Sequence, residues 1–172
     1  MTDRKTDYLK TEPLRIAQAQ MPVITDPAAC RDYLETAAEK AAGQKAQFLL
    51  LPEMFCCPYD TASFPEYAEE EGGPVYTLCS ELARKYGIYF SAGTIPERDS
   101  RDRIYNTAYV FDPEGRQIAK HRKMHLFDIQ VQGGQHFRES DVLSAGNSVT
   151  VFDTVFGTFG LAVCFDIRFP EL

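Results

Sequence analysis

The sequence predicts an α/β layered domain, and three observations carry that prediction. Apolar strand-like runs alternate along the chain with segments of helical period, the order expected where helices pack on a sheet. No Gly/Ser/Pro-rich linker, internal repeat or low-complexity tract divides it. At 172 residues, with 44% hydrophobic and 25% charged residues, the chain has the length and mix of one globular domain with a real core.

Taken in order, residues 1–13 mix charges of both signs and read as a polar lead-in to a domain spanning 14–172. Leu14 to Gln20 alternates apolar with polar side chains, a first strand closed by Pro22. Asp26 or Pro27 opens a helix in which Ala28, Tyr33, Leu34, Ala37, Ala38 and Ala41 recur at helical spacing until Gly43 ends it. Gln47 to Leu51 is a continuous apolar run before Pro52, as in a strand buried on both faces. A second helix fits Val75 to Tyr86, with Pro74 near its first position and Gly87 as its stop. Ile88 to Gly93 is another buried strand. Asn106 to Phe111 and Gln117 to Lys120 flank the turn Asp112-Pro113-Glu114-Gly115 as a hairpin. The stretch from Arg122 to Asn147 reads as a long irregular loop, a length that in compact domains is functional or disordered. Val149 to Phe152 and Thr158 to Cys164 form the last strands, joined through Asp153 to Gly157. Arg168 to Leu172 resembles a helix cut off in its first turn, so the expectation is a fragment of a longer protein.

Composition narrows the function classes. A net charge of −7 and a pI near 5.0 repel phosphate backbones, and the densest basic stretch, Lys120-His121-Arg122-Lys123, is short. Nucleic acid is therefore not an expected partner. The longest apolar run, Phe156 to Phe165, is broken by Gly157, Thr158 and Gly160 and falls short of the roughly 20 residues of a spanning helix, so no membrane is expected. The start lacks an apolar signal segment. Five irregularly spaced cysteines (Cys30, Cys56, Cys57, Cys79, Cys164) then read as free thiols in a reducing, cytoplasmic compartment.

Three residues could do chemistry, though each has a plain reading too. Glu53 follows a buried strand, where α/β folds hold ligands; it is a general base or a solvated loop acid. Cys164 ends the run Gly160-Leu161-Ala162-Val163. Taken alone, such a cysteine is an inert buried thiol as a rule. With a free pKa near 8.5 only about 3% is thiolate at pH 7, so a nucleophilic role needs a partner supplied by the fold. Lys123 sits in a basic turn. His121, His125 and His136 lack the H-E-x-x-H spacing and stand near no cysteine pair, so no metal site is expected. Cys56-Cys57 is too close for a CxxC redox pair. No nucleophile elbow, Walker loop or dinucleotide fingerprint is present.

Three segments, in this order, change that balance: Leu50-Leu51-Pro52-Glu53-Met54-Phe55, then His121-Arg122-Lys123-Met124-His125-Leu126-Phe127, then Val163-Cys164-Phe165-Asp166-Ile167-Arg168-Phe169-Pro170-Glu171. Together they resemble the signature segments of the nitrilase superfamily, over essentially the whole chain from Leu14. Leu126-Phe127-Asp128-Ile129, His136 to Ser140 and Leu143 to Asn147 are similar to the ω-amidase branch, which acts on monoamides of short dicarboxylic acids.

The resemblance implies a four-layer α-β-β-α sandwich, incomplete here, with Glu53, Lys123 and Cys164 as a catalytic triad and Glu139 supporting it. It implies a small-molecule amide substrate, no cofactor, and a homo-oligomer at full length. Cys164 would attack the amide carbon, Glu53 would shuttle the proton, and the Lys123 ammonium with the Phe165 N–H would hold the oxyanion. Tyr59, Phe127, Phe165 and Phe55 would form pocket wall or core. Asp166 and Arg168 read as structural pairing around the nucleophile turn rather than substrate contacts. Vicinal Cys56-Cys57 departs from the pattern, and complete members continue well past Leu172. Two rival readings follow: the same triad acting on a nitrile, N-carbamoyl compound or deaminated peptide amide, and a fragment without catalysis.

Overall fold

The computed structural model describes residues 13–130 and 136–172. Most of the 1–13 lead-in therefore lies outside the described residues. Strand β1 (Ile16–Gln18) leads to helix α1 (Pro27–Gly43). Asp26 caps that helix by accepting the Ala29 N–H at 2.8 Å, with Pro27 at the first position where its missing N–H costs nothing. Strand β2 (Phe48–Leu50), a single helical turn α2 (Phe64–Tyr67) and helix α3 (Pro74–Tyr86) follow. Gly87 ends α3 in the left-handed conformation, φ 63°, that favours glycine.

Strands β3 (Tyr89–Ser91), β4 (Ile95–Arg98), β5 (Ile104–Phe111) and β6 (Gln117–Arg122) complete a six-stranded sheet in the order β1-β2-β3-β5-β4, with β6 on the other side of β5. β1, β2 and β3 pair in parallel, and β5 runs antiparallel to β3, β4 and β6. Side chains alternate between the two faces. Leu49, Phe90, Tyr109 and Phe111 pack under α1 and α3, whose inner residues include Leu34, Ala38, Leu78 and Leu82. Phe48, Tyr89 and Val110 point the other way, onto Phe152, Phe156 and Phe159 of a hairpin, β9 (Thr150–Thr154) and β10 (Gly157–Leu161). Burial of large apolar side chains, at about 1.5–3 kcal/mol each, holds these layers together. Helices, sheet and hairpin are three layers of an α-β-β-α arrangement, an α/β fold. No helix among the described residues is long and apolar enough to cross a membrane.

Several expectations need correction. β4 was not predicted: Pro96 and the charges Glu97 and Arg98 disguise a strand that is tolerated because it ends the sheet path. The loop 122–147 is not wholly irregular; it contains strands β7 (Asp128–Gln130) and β8 (His136–Arg138) and a 3₁₀ turn, Glu139–Asp141. The last strand stops at Leu161, three residues before Cys164, which opens a 3₁₀ turn running to Arg168. The residues after Arg168 form no α-helix; Phe169 takes extended dihedrals, as the ring of the following Pro170 disfavours the helical region for the residue before it.

Candidate active site

Glu53 is set by the strand pair around it. β3 and β4 are one strand interrupted at Gly93 (φ 50°), and that glycine lets the chain at Leu51–Pro52 pass against it. A Cβ there would stand 2.0 Å from the Pro52 carbonyl oxygen. Thr94 fixes the loop on both sides of Glu53: its N–H donates to the Pro52 carbonyl at 3.3 Å, and its hydroxyl accepts the Met54 N–H at 3.0 Å. The Glu53 Oε1 accepts from Asn106 Nδ2 at 2.7 Å and from Lys123 Nζ at 3.0 Å.

Lys123 follows β6 directly, its N–H held by the Asn106 carbonyl at 2.9 Å and its carbonyl by the Gly146 N–H at 2.8 Å. Its side chain is completely buried between two carboxylates, since Nζ also donates to Glu139 Oε1 at 3.0 Å. Burial works against the ammonium, but Glu53 and Glu139 outweigh it and hold the Lys123 pKa above its ordinary value. Glu139 is as buried as Lys123. It accepts the Phe127 N–H at 2.6 Å while its own N–H donates to the Phe127 carbonyl at 3.2 Å. The Tyr59 hydroxyl donates to Glu139 and accepts from Lys123 Nζ at 3.4 Å. Burial first, then donation to Glu139, pushes that phenol well above its ordinary value.

Cys164 is exposed and has φ 46°, the left-handed region that a residue with a side chain enters only when its surroundings impose it. Burial raises its thiol pKa, the Glu53 charge raises it further, and Lys123 opposes. With Glu53, Tyr59, Phe127, Phe165, Ile167 and Arg168 it lines an open cavity of about 510 Å³. Phe127 and Phe165 meet edge to face, ring centroids 5.3 Å apart.

Glu53, Lys123, Cys164 and Glu139, separated by as many as 111 residues in sequence (164 − 53), thus come together, with Tyr59, Phe127 and Phe165 on the wall of the same cavity. Phe55 does not join them; it is buried in the helix-side core. Asp166 pairs as expected, with His121 and His125, the histidines weighed as metal ligands. The side chain of His136 lies outside the described set. Arg168 departs from expectation: among the described residues its side chain forms no hydrogen bond or ion pair, and it lines the cavity from the exposed turn. Sequence reasoning missed Asn106, Thr94, Gly93 and Gly146. A buried asparagine inside the apolar run Ile104–Phe111 was the one legible signal.

The carbon-nitrogen hydrolase family matches residues 15–172. The chain belongs to this family. The omega-amidase NIT2-A of Xenopus laevis is 49% identical over 134 residues, covering 78% of this chain and 48% of the relative. Saccharomyces cerevisiae Nit3, a member of branch 10 of the nitrilase superfamily, superposes with a TM-score of 0.79 at 36% identity, over 92% of this chain and 58% of that one. A mutant amidase from Nesterenkonia sp. AN1, carrying the acetamide moiety of fluoroacetamide at its active-site cysteine, superposes at 0.74 and 25% identity, over 92% and 58%. The chain spans about half the length of the curated relatives it matches.

Proposed function

We propose that this chain carries the catalytic residues of an amidase that hydrolyses a small carboxylate-bearing amide through a Cys164 thioester, releasing ammonia. The observation that carries the reading is the buried ammonium of Lys123, 3.0 Å from both Glu53 and Glu139, with Glu53 lining the same cavity as Cys164. The Nesterenkonia adduct, at the cysteine of a family member, supports Cys164 as nucleophile. The omega-amidase relatives support an amide as the substrate.

Glu53 takes the thiol proton as sulfur bonds to the amide carbon. The oxyanion forms against Lys123 and the first N–H groups of the 3₁₀ turn. Asp166 N–H makes the earliest backbone bond of that turn, to Val163 at 3.0 Å, so the Phe165 N–H lies ahead of the ladder. Protonated Glu53 donates to the departing nitrogen and ammonia leaves. Water, deprotonated by Glu53, then attacks the thioester, freeing the acid and the thiol. Glu139 and Tyr59 keep Lys123 in place throughout. Five free cysteines agree with a reducing compartment such as the cytoplasm. The domain assignment 14–172 and a homo-oligomeric full-length protein belong to the same reading.

Incubation with monoamides of four- and five-carbon dicarboxylic acids, a nitrile and an N-carbamoyl acid, with ammonia detection and intact mass, tests it. The expected result is ammonia from the monoamides and an acyl adduct that Cys164→Ala abolishes. Turnover of the nitrile alone, or an adduct that survives Cys164→Ala, would overturn it.

A further inference from the structure

Asp166 stands two residues beyond Cys164 and is completely buried. Its Oδ2 accepts the Val163 N–H at 3.0 Å and faces His121 Nε2 at 3.2 Å. Its Oδ1 accepts the Met124 N–H at 3.2 Å and the His125 N–H at 2.8 Å, and faces His125 Nδ1 at 2.8 Å. Burial alone would raise the pKa of this carboxyl. The hydrogen bonds from Val163, His121 and His125 prevail and hold it below the ordinary aspartate value, so the group stays ionised at neutral pH.

The arrangement has two consequences. One oxygen reaches back over Cys164 to the preceding N–H, while the Asp166 N–H returns to the Val163 carbonyl at 3.0 Å. These reciprocal bonds close a small ring around the residue whose φ is 46°. The other oxygen gathers the two N–H groups that follow Lys123. A single anion therefore joins the nucleophile turn to the lysine segment, 41 residues away in sequence (164 − 123). His125 is braced in turn by stacking on Phe169, centroids 3.6 Å apart.

We propose that Asp166 is the positioning residue of this site: its carboxylate imposes the left-handed backbone of Cys164 and fixes the thiol in reach of Lys123. The inference rests on the reading of Cys164 as nucleophile. It goes further in making Asp166, which does not touch the substrate, the element through which thiol and ammonium are coupled.

The test is a double-substitution cycle on alkylation of Cys164 by iodoacetamide, alongside amide hydrolysis normalised to titrated Cys164 thiol. Lys123→Met is expected to slow alkylation severalfold at pH 8 in the otherwise unsubstituted protein. In the nearly isosteric Asp166→Asn background the same change has little effect, because the thiol has left the reach of the lysine. Asp166→Asn itself lowers kcat per thiol about 10- to 100-fold, the scale of losing charge-assisted hydrogen bonds, with KM within about twofold. A Lys123 effect that persists undiminished, or a normal kcat per reactive thiol with merely fewer folded molecules, overturns the proposal. Should Asp166→Asn fail to fold, His125→Phe keeps the stack on Phe169 and removes the side-chain donor. It is then expected to weaken the Lys123 effect and lower kcat, and an unchanged cycle counts against the proposal. The alkylation cycle needs no amide: an altered cycle in a protein that hydrolyses none of the amides keeps the positioning role and sinks the amidase reading instead.

Discussion

At Cys164 two charges pull in opposite directions. Burial and the Glu53 carboxylate favour the thiol, and the Lys123 ammonium favours the thiolate. Glu53→Gln removes one of the groups that raise the thiol pKa, so the thiolate fraction at a fixed pH rises. Alkylation by iodoacetamide at pH 8 should therefore become severalfold faster. Amide hydrolysis, which needs Glu53 to move protons, should fall by about 10²- to 10⁴-fold. Parallel loss of both rates would contradict this division of labour. Each of these residues, met alone in sequence, had an ordinary alternative, and the order of three segments, not any local pattern, singled them out. Asn106 escaped notice because its role is set by strand pairing: its amide reaches Glu53 and its carbonyl holds Lys123. Neither contact has a local sequence signature.

The elements show where sequence patterning works and where contact between segments overrides it. α1 and α3 were readable because their caps and apolar spacing are local; Asp26, Pro27 and Gly87 act within one turn. β4 was unreadable because its charges are satisfied at a distance. Glu97, nearly fully buried, accepts from Thr107 at 2.7 Å and from Arg122 Nε and Nη2 at 3.0 and 2.7 Å, and pairs with Lys120 as well. The break between β3 and β4 is also functional geometry, since Gly93 is where the Glu53 loop crosses the strand. Gly93→Ala combines a left-handed φ with a Cβ 2.0 Å from the Pro52 oxygen. It should destabilise the fold by about 1–3 kcal/mol and displace Glu53 as the Pro52 segment gives way. Urea unfolding and kcat measure the two effects separately. A normal kcat in the folded variant would mean that the crossing does not set the position of Glu53.

Across the whole molecule, the ionisable groups that are most deeply involved in the fold leave a plateau of stability between two pH limits. On the acid side Glu97 and Asp166 have pKa values held below their ordinary 4.5 and 3.8: burial alone would raise both, but hydrogen bonds and the Lys120 charge outweigh it at Glu97, and hydrogen bonds outweigh it at Asp166. A carboxyl whose pKa is lower in the folded state contributes stability that is present above the unfolded value and fades as pH falls toward the folded one. Stability should thus begin to drop near pH 4.5 and continue below 3.8. On the alkaline side burial pushes the thiols Cys30, Cys56, Cys57 and Cys79 above their ordinary 9.0, Cys57 to about 12. A thiol that keeps its proton longer when folded gives stability that is complete below the unfolded pKa and is lost as pH rises past about 9. Midpoints of urea unfolding from pH 3 to 10.5 should therefore trace a plateau from about 5 to 8.5 with a fall at each end. Glu97→Gln should lower the plateau, because Lys120 and Arg122 lose their shared anion, and at the same time flatten the acid limb, because one of its proton-binding groups is gone. An acid limb as steep in Glu97→Gln as in the unsubstituted protein would remove Glu97 from this account and leave acid sensitivity to the other carboxylates, with Asp166 the first to examine.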